Sequence, residues 1–213
     1  MKLLLTAFEP FGGDTTNPAQ DAVKLVPSTI KGVDIVKIDV PVVFDKAGET
    51  VYQAMVKEKP DVVLCIGQAG GRIGLTPERV AINLQDARIP DNDGKQPFDK
   101  KCFADGENAY FTRIPVKAMV EYMKKANIPA SVSYTAGTFV CNDLMYSVLY
   151  HIAKEFPDMK GGFMHVPFTH NQVINRPNTP SMSVEDIAKG IEVSIEAIID
   201  HPDDFKIASG TTC

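Results

Sequence analysis

Short apolar runs alternate along nearly the whole chain with segments of helical periodicity, and no other feature restricts the possible folds as much. Strand-like runs rich in apolar or β-branched residues occur at 3–7, 33–40, 62–66, 80–84, 130–133 and 162–166. Between them, Ala47, Val51, Ala54 and Met55 recur at helical spacing. Val116, Met119, Val120 and Met123 do the same, as do Leu144, Met145, Val148, Leu149 and Ile152. A last helix is predicted over 184–199, with Ser183 as its N-cap and Glu185 and Asp186 favouring its positive end. Strands that alternate with amphipathic helices need cover on both faces. The pattern therefore predicts an α/β fold, a three-layer α/β/α sandwich with a largely parallel or mixed central sheet. The 213 residues suffice for one such core, and no repeat, low-complexity tract or linker divides them, so a single domain over 1–213 is expected.

Composition removes several partner classes. A net charge of -5 offers no basic footprint for a phosphate backbone, so no nucleic acid is expected. The opening Met1-Lys2-Leu3-Leu4-Leu5 run is cut by Glu9-Pro10 before an apolar region of about 7–15 residues develops. No later segment approaches the roughly 20 apolar residues of a membrane span, so no membrane partner and a cytoplasmic location are expected. Cys65, Cys102, Cys141 and Cys213 fit neither a dense disulfide framework nor zinc-ligand spacing, and reduced thiols are expected.

In this architecture ligands lie beyond the carboxyl ends of the strands. The loops after Ala7, Ile66, Ser133 and Val166 are the places where chemistry is expected. Ser133-Tyr134-Thr135-Ala136-Gly137-Thr138-Phe139-Val140-Cys141-Asn142 runs from a predicted strand through a tight Ala-Gly turn into an amphipathic helix. Cys141 is thereby placed at a helix start, where free N–H groups and the helix dipole favour a thiolate and a developing oxyanion. Its thiol is expected to titrate well below the reference of about 8.5. A small buried hydrophobe is the alternative reading of that cysteine. Cys65 sits inside a buried-strand run, whereas Cys102 and Cys213 read as exposed thiols open to oxidation.

His165 lies near the end of the 162–166 run, a strand-end position, while His151, His170 and His201 read as structural or solvated. His165 and His170 have no HExxH or cysteine-pair company, so no metal is expected. The loop from Gly67 to Arg72 lacks both a P-loop ending and the full GxGxxG spacing. Glu78 opens an alternating run, and by itself it reads as a solvated loop charge.

Several of these segments resemble one family over nearly the whole chain. The segment from Thr6 to Gly13 and Asn17-Pro18 are similar to the opening of the pyroglutamyl-peptidase I family, also called the pyrrolidone-carboxylate peptidases. Gly67 to Gly70 and Leu75 to Asn83 resemble its glutamate signature, 133–142 its cysteine signature, and His165-Val166-Pro167 its histidine segment. Ala7 departs from the glycine expected in many members.

The resemblance implies a cysteine peptidase that removes N-terminal pyroglutamyl residues from peptides through thiolate attack and a thioester, with neither cofactor nor metal. It assigns Cys141 as nucleophile, His165 as general base and Glu78 as the residue that orients the histidine. Phe8, Phe11 and Phe139 would border the ring pocket, Gln68 would stand in its wall, and Arg88 would lie beside the nucleophile. Phenylalanine walls suit a neutral lactam, which carries no ammonium to desolvate. A homotetramer is implied in the same way. Two other readings stand beside this one: a nucleoside phosphorylase holding phosphate in the Gly67 to Arg72 loop, and a binding module that keeps the pocket without chemistry.

Overall fold

The structure, a computed structural model, describes residues 1–210, so Cys213 lies outside the described residues. Residues 2–8 form β1 (Lys2–Phe8), which carries Leu3, Leu4 and Leu5 with no exposed surface. A β-strand sends successive side chains to opposite faces, so such a run belongs at the centre of a sheet covered on both sides. On one side β1 pairs in parallel with β3 (Val33–Val40), which is flanked by antiparallel β2 (Thr29–Ile30). On the other side it pairs in parallel with β4 (Val62–Gln68). Beyond β4 lies parallel β8 (Lys160–Val166), and antiparallel β5 (Thr76–Pro77) closes the order β2-β3-β1-β4-β8-β5.

The mixed sheet is sandwiched as the alternation predicts. Leu3, Leu5, Leu64, Ile66 and Met164 point to a core covered by α1 (Pro18–Leu25), α3 (Val116–Lys125) and α6 (Val184–Asp200). Leu4, Val63, Cys65 and Phe163 point to the opposite core, under α2 (Lys46–Glu58) and α4 (Val140–Lys154). Helix α6 starts where the sequence indicates, with Ser183 Oγ accepting the Asp186 N–H at 3.0 Å. The pattern does not announce α1, which is eight residues long. Local chemistry makes it: Asn17 Oδ1 caps the Ala19 N–H at 3.0 Å, and Pro18 stands in the first turn.

Two predicted strands fall elsewhere. Of 80–84 only β6 (Val80–Ile82) is a strand, and it pairs with β7 (Ala109–Phe111) in a separate two-stranded ribbon. Segment 130–133 is no strand but runs alongside β5 through isolated bridges. The Leu75 N–H bonds the Pro129 carbonyl at 2.9 Å and the Arg79 N–H bonds Ser133 at 2.7 Å. Pro77, midway between these donors, has no N–H to offer, and the ladder is interrupted there. A further short pair, β9 (Phe168–Thr169) with β10 (Ser181–Met182), brackets α5 (His170–Val173).

Close approach of the 129–133 segment depends on Gly74, where an added Cβ would meet the Pro129 carbonyl oxygen at 2.2 Å. Backbone cannot rotate aside as a flexible side chain does. Gly74→Ala is expected to cost about 1–3 kcal/mol of stability. Urea unfolding checks this, and an unchanged midpoint would show that the segment is not held tightly against β5.

Candidate active site

The parallel register sets Gly67 on β4 opposite His165 on β8. Alternation from Cys65 and Phe163 turns both positions toward the α4 layer. Gly67 has no side chain, and the space is taken: a Cβ there would stand 2.7 Å from the Phe163 ring and 3.1 Å from Cys141 Sγ. The thiol of Cys141 thus rests over the bare backbone at the end of β4. Cys141 is the second residue of α4, after the extended Phe139, and no side chain caps that first turn. Its N–H groups have no side-chain competitor there.

The antiparallel edge brings in the carboxylate. Thr76 of β5 pairs with His165, and just past the strand the Glu78 N–H bonds the Phe163 carbonyl at 2.9 Å. Glu78 Oε1 lies 2.7 Å from His165 Nδ1. Glu78 is 0% exposed, so the reading of a solvated loop charge is overturned by its position between β8 and the 129–133 segment. Arg72 meets the same oxygen through Nη1 at 2.6 Å. A carboxylate against a guanidinium is an acceptor, so Nδ1 donates and the Nε2 lone pair is left free.

Two neighbours of this group were not singled out by sequence reasoning. Asn142, buried beside Cys141, accepts from the Ile82 N–H at 3.0 Å and donates to the carbonyls of Ile82 and Leu84 at 2.9 and 3.0 Å. It fixes the start of α4 to the β6 ribbon. Arg72 ends the Gly-rich loop that begins at Gly67, and neither the phosphate-cradle reading nor the family resemblance assigns it a role.

The pocket candidates are placed unevenly. Phe8 is buried, its ring centroid 6.3 Å from that of Phe163, whose own ring lies 4.8 Å from the imidazole of His165. Phe11 and Phe139 are half-buried neighbours with centroids 6.5 Å apart, and Phe44 meets Phe139 edge-on at 5.2 Å. Gln68 closes β4 and accepts from Gln172 Nε2 at 3.0 Å. Arg88 is exposed and makes no hydrogen bond or ion pair with the described residues. Its loop is nonetheless tied to the turn before Cys141: the Asp86 N–H bonds the Thr138 carbonyl at 3.0 Å, and Thr138 Oγ1 donates to the Asp86 carbonyl at 2.7 Å.

A family model described as pyroglutamyl peptidase matches residues 1–201. The chain belongs to the pyroglutamyl peptidase family. The pyrrolidone-carboxylate peptidase of Clostridium botulinum is 55% identical over 213 residues, all of both chains. Pyrrolidone-carboxylate peptidase 1 of Streptococcus pneumoniae is likewise 55% identical over 213 residues, 100% of each. Among solved structures, pyroglutamyl peptidase I from Bacillus amyloliquefaciens superposes with a TM-score of 0.93 at 44% identity, covering 97% of this chain and 99% of that one. Pyrrolidone carboxyl peptidase from Thermococcus litoralis gives 0.92 at 39% identity, over 97% and 99%. The chain is therefore an enzyme of this peptidase family, and the phosphorylase and binding-module readings fall. Among the described residues no helix is long and apolar enough to cross a membrane.

In this pyroglutamyl peptidase the electrostatics of the thiol differ from the sequence expectation. Burial, reinforced by the Glu78 charge and opposed by Arg72, pushes the Cys141 thiol up to about 12. Burial also pushes His165 down, against the pull of its Glu78 hydrogen bond and charge, while Arg72 adds to the lowering. Both directions favour a neutral thiol beside a neutral imidazole. The helix start is outweighed because the sulfur lies against Gly67 with the carboxylate in reach.

Among the described residues, the other two thiols are shifted the same way. Cys65 has no exposed surface and is pushed up to about 12 by burial. Cys102 is half-buried, not an open thiol, and burial with the nearby Asp143 pushes it up as well. The three remaining histidines have local partners: His151 bonds Glu155, His170 bonds Ser181, and His201 meets the Tyr122 hydroxyl. Iodoacetamide should therefore modify Cys141 ahead of Cys65 and Cys102, at a rate that keeps rising with pH beyond 9. Peptide mapping over a pH series measures this, and a rate plateau below pH 8 would restore the low-pKa thiolate.

Proposed function

We propose that the chain hydrolyses the peptide bond after an N-terminal pyroglutamyl residue, with Cys141 as nucleophile, His165 as general base and acid, and Glu78 as the group that orients the histidine. The observation that carries this reading is the 2.7 Å contact between buried Glu78 and His165, on the strand beside the glycine over which the Cys141 sulfur sits. His165 Nε2 takes the thiol proton as sulfur attacks the pyroglutamyl carbonyl, and the first-turn N–H groups of α4 receive the oxyanion. The imidazolium, held by Glu78, returns that proton to the departing peptide amine as the C–N bond breaks, leaving a thioester. A water then gives its proton to His165 and its oxygen to the acyl carbon. Pyroglutamate leaves and the thiol is restored. A neutral thiol at rest makes proton transfer part of the attack, and a histidine pushed below its ordinary range is in the basic form at neutral pH.

The substrate follows from the charge of the site. A pyroglutamyl ring is a neutral lactam, so half-buried Phe11 and Phe139 can enclose it without stripping water from an ammonium, with Phe8 backing Phe163 behind them. Gln68 stands in the wall, and exposed Arg88 lies on the loop bound to the turn before the nucleophile. The reading extends to one domain over 1–213, a cytoplasmic location and a homotetramer. Neither cofactor nor metal enters any step.

A glutaminyl or glutamyl substrate brings an ammonium into this pocket. kcat/KM for a pyroglutamyl aryl amide should exceed that for the glutaminyl amide on the order of 10³-fold or more. Cys141→Ser should fold and bind yet lose nearly all turnover. Comparable values for the two amides, or an active Cys141→Ser enzyme, would refute the assignment. The assembly is read by light scattering at micromolar concentration, where a mass other than four chains would rule out the tetramer.

A further inference from the structure

We propose that Arg72 is a positioning residue of the catalytic site, setting the charge balance of the Glu78-His165 pair and locking that pair to the turn that leads into Cys141. The inference rests on the reading of Cys141, His165 and Glu78 given above. Arg72 follows Gly70-Gly71, and Gly71, at φ 90°, reverses the chain after β4. The guanidinium then spans three pieces of the fold. Nη1 reaches Glu78 Oε1 at 2.6 Å and the Thr76 hydroxyl of β5, and Nη2 reaches the Thr135 carbonyl at 3.0 Å. A planar fork can hold a carboxylate and a carbonyl at once, which a single ammonium cannot do as well. Thr135 is tied into the same turn, since its Oγ1 accepts the Gly137 N–H at 3.1 Å.

The charge argument is independent of the tether. All partners of the Glu78 carboxylate converge on Oε1, while Oε2 is buried and has no partner among the described residues. Arg72 is thus the positive charge against a carboxylate that has no exposed surface. The charged groups that act on the imidazole are Glu78 beyond β5 and Arg72 from the β4-β5 loop, and the same two act on Cys141 of α4, together with Cys65 of β4. Without Arg72 the Glu78-His165 pair carries an uncompensated negative charge and takes up a proton at higher pH, whichever of the two holds it. A protonated pair has no base for the thiol. The sign is therefore fixed: loss of Arg72 moves the acid limb of activity upward.

The test compares kcat/KM against pH for wild type, Arg72→Met, Arg72→Gln and Arg72→Lys on a pyroglutamyl aryl amide, with the His165 ring titrated by NMR in each. Arg72→Met should raise the acid limb and the ring titration by about one pH unit or more. Its kcat should fall at least about tenfold, with KM changed less, as the turn before Cys141 loosens. Arg72→Lys should return the limb toward wild type while leaving kcat low. In a Glu78→Gln background Arg72→Met should still raise the limb, because the guanidinium also acts on the imidazole directly. Arg72→Gln keeps a donor without the charge and gives the same comparison should the methionine variant fail to fold. A wild-type limb and ring titration in the uncharged variants would overturn the inference. Failure of the underlying reading looks different: Cys141→Ser would retain turnover, or wild type would ignore the pyroglutamyl substrate, while the ring titration would still report on Arg72.

Discussion

Parallel pairing of β4 with β8 is the constraint on which the site depends. Two parallel strands end on the same side, so their carboxyl ends open one crevice, and the register sets Gly67 beside His165 there. A side chain at 67 would collide with Phe163 and fill the place of the Cys141 sulfur. The empty position lets a helix start descend onto the strand end. It also keeps the sulfur near a histidine on the adjacent strand. The edge strand β5 adds the carboxylate through a pairing only two residues long, which suffices because the Glu78 N–H is tied to the Phe163 carbonyl.

Burying that carboxylate is costly unless it is paired and hydrogen-bonded. Glu78 has both a guanidinium and an imidazole on one oxygen, so its buried charge is paired and hydrogen-bonded. The same dryness that strengthens the Glu78-His165 bond disfavours a thiolate 141. In the proposed chemistry the nucleophile is thus made as the carbonyl arrives and is not stored beforehand. A neutral resting thiol is also a poorer target for adventitious alkylation and oxidation than a thiolate would be.

How much of this was readable beforehand depended on the range of the interactions involved. The four central strands and four of the longer helices announced themselves because their burial is two-sided or striped, which is a local property of the sequence. Helix α1 did not, because it buries little beyond Pro18, Ala19, Ala22 and Val23 and is made by its cap. Segment 130–133 has a strand-like composition, but its partner contains Pro77, and no reading of 130–133 alone could contain that fact. Cys141 at a helix start and His165 at a strand end were visible from turn chemistry and periodicity. Glu78 was assigned through family resemblance only, since its burial comes from contacts with β8 and the 129–133 segment. Arg72 was hidden for the same reason, its partners lying at 76, 78 and 135. The thiol titration is not legible in the sequence because a helix start is a local feature, whereas the burial of the sulfur and the nearby Glu78 charge come from distant contacts.

Precision at the nucleophile also calls for an anchor outside the sheet. Cys141 enters from a loop whose turn contains Gly137 at φ 78°, and its side chain must be placed to within a fraction of an ångström. The structure transfers that task to the next two residues. Asn142 uses one acceptor and both amide hydrogens on the backbone of Ile82 and Leu84, and Asp143 accepts from Gln85 Nε2 at 2.7 Å and from the Asp45 N–H at 3.0 Å. Asn142 and Asp143 are themselves buried, where competition from water is weak, so the first turn of α4 is held from the outer layer while the sulfur is held from the sheet. An interior polar cluster beside the nucleophile thereby adds a second anchor to the bonds that hold the preceding turn at Thr135 and Thr138. It explains why the β6 ribbon, detached from the central sheet, is nevertheless retained against α4.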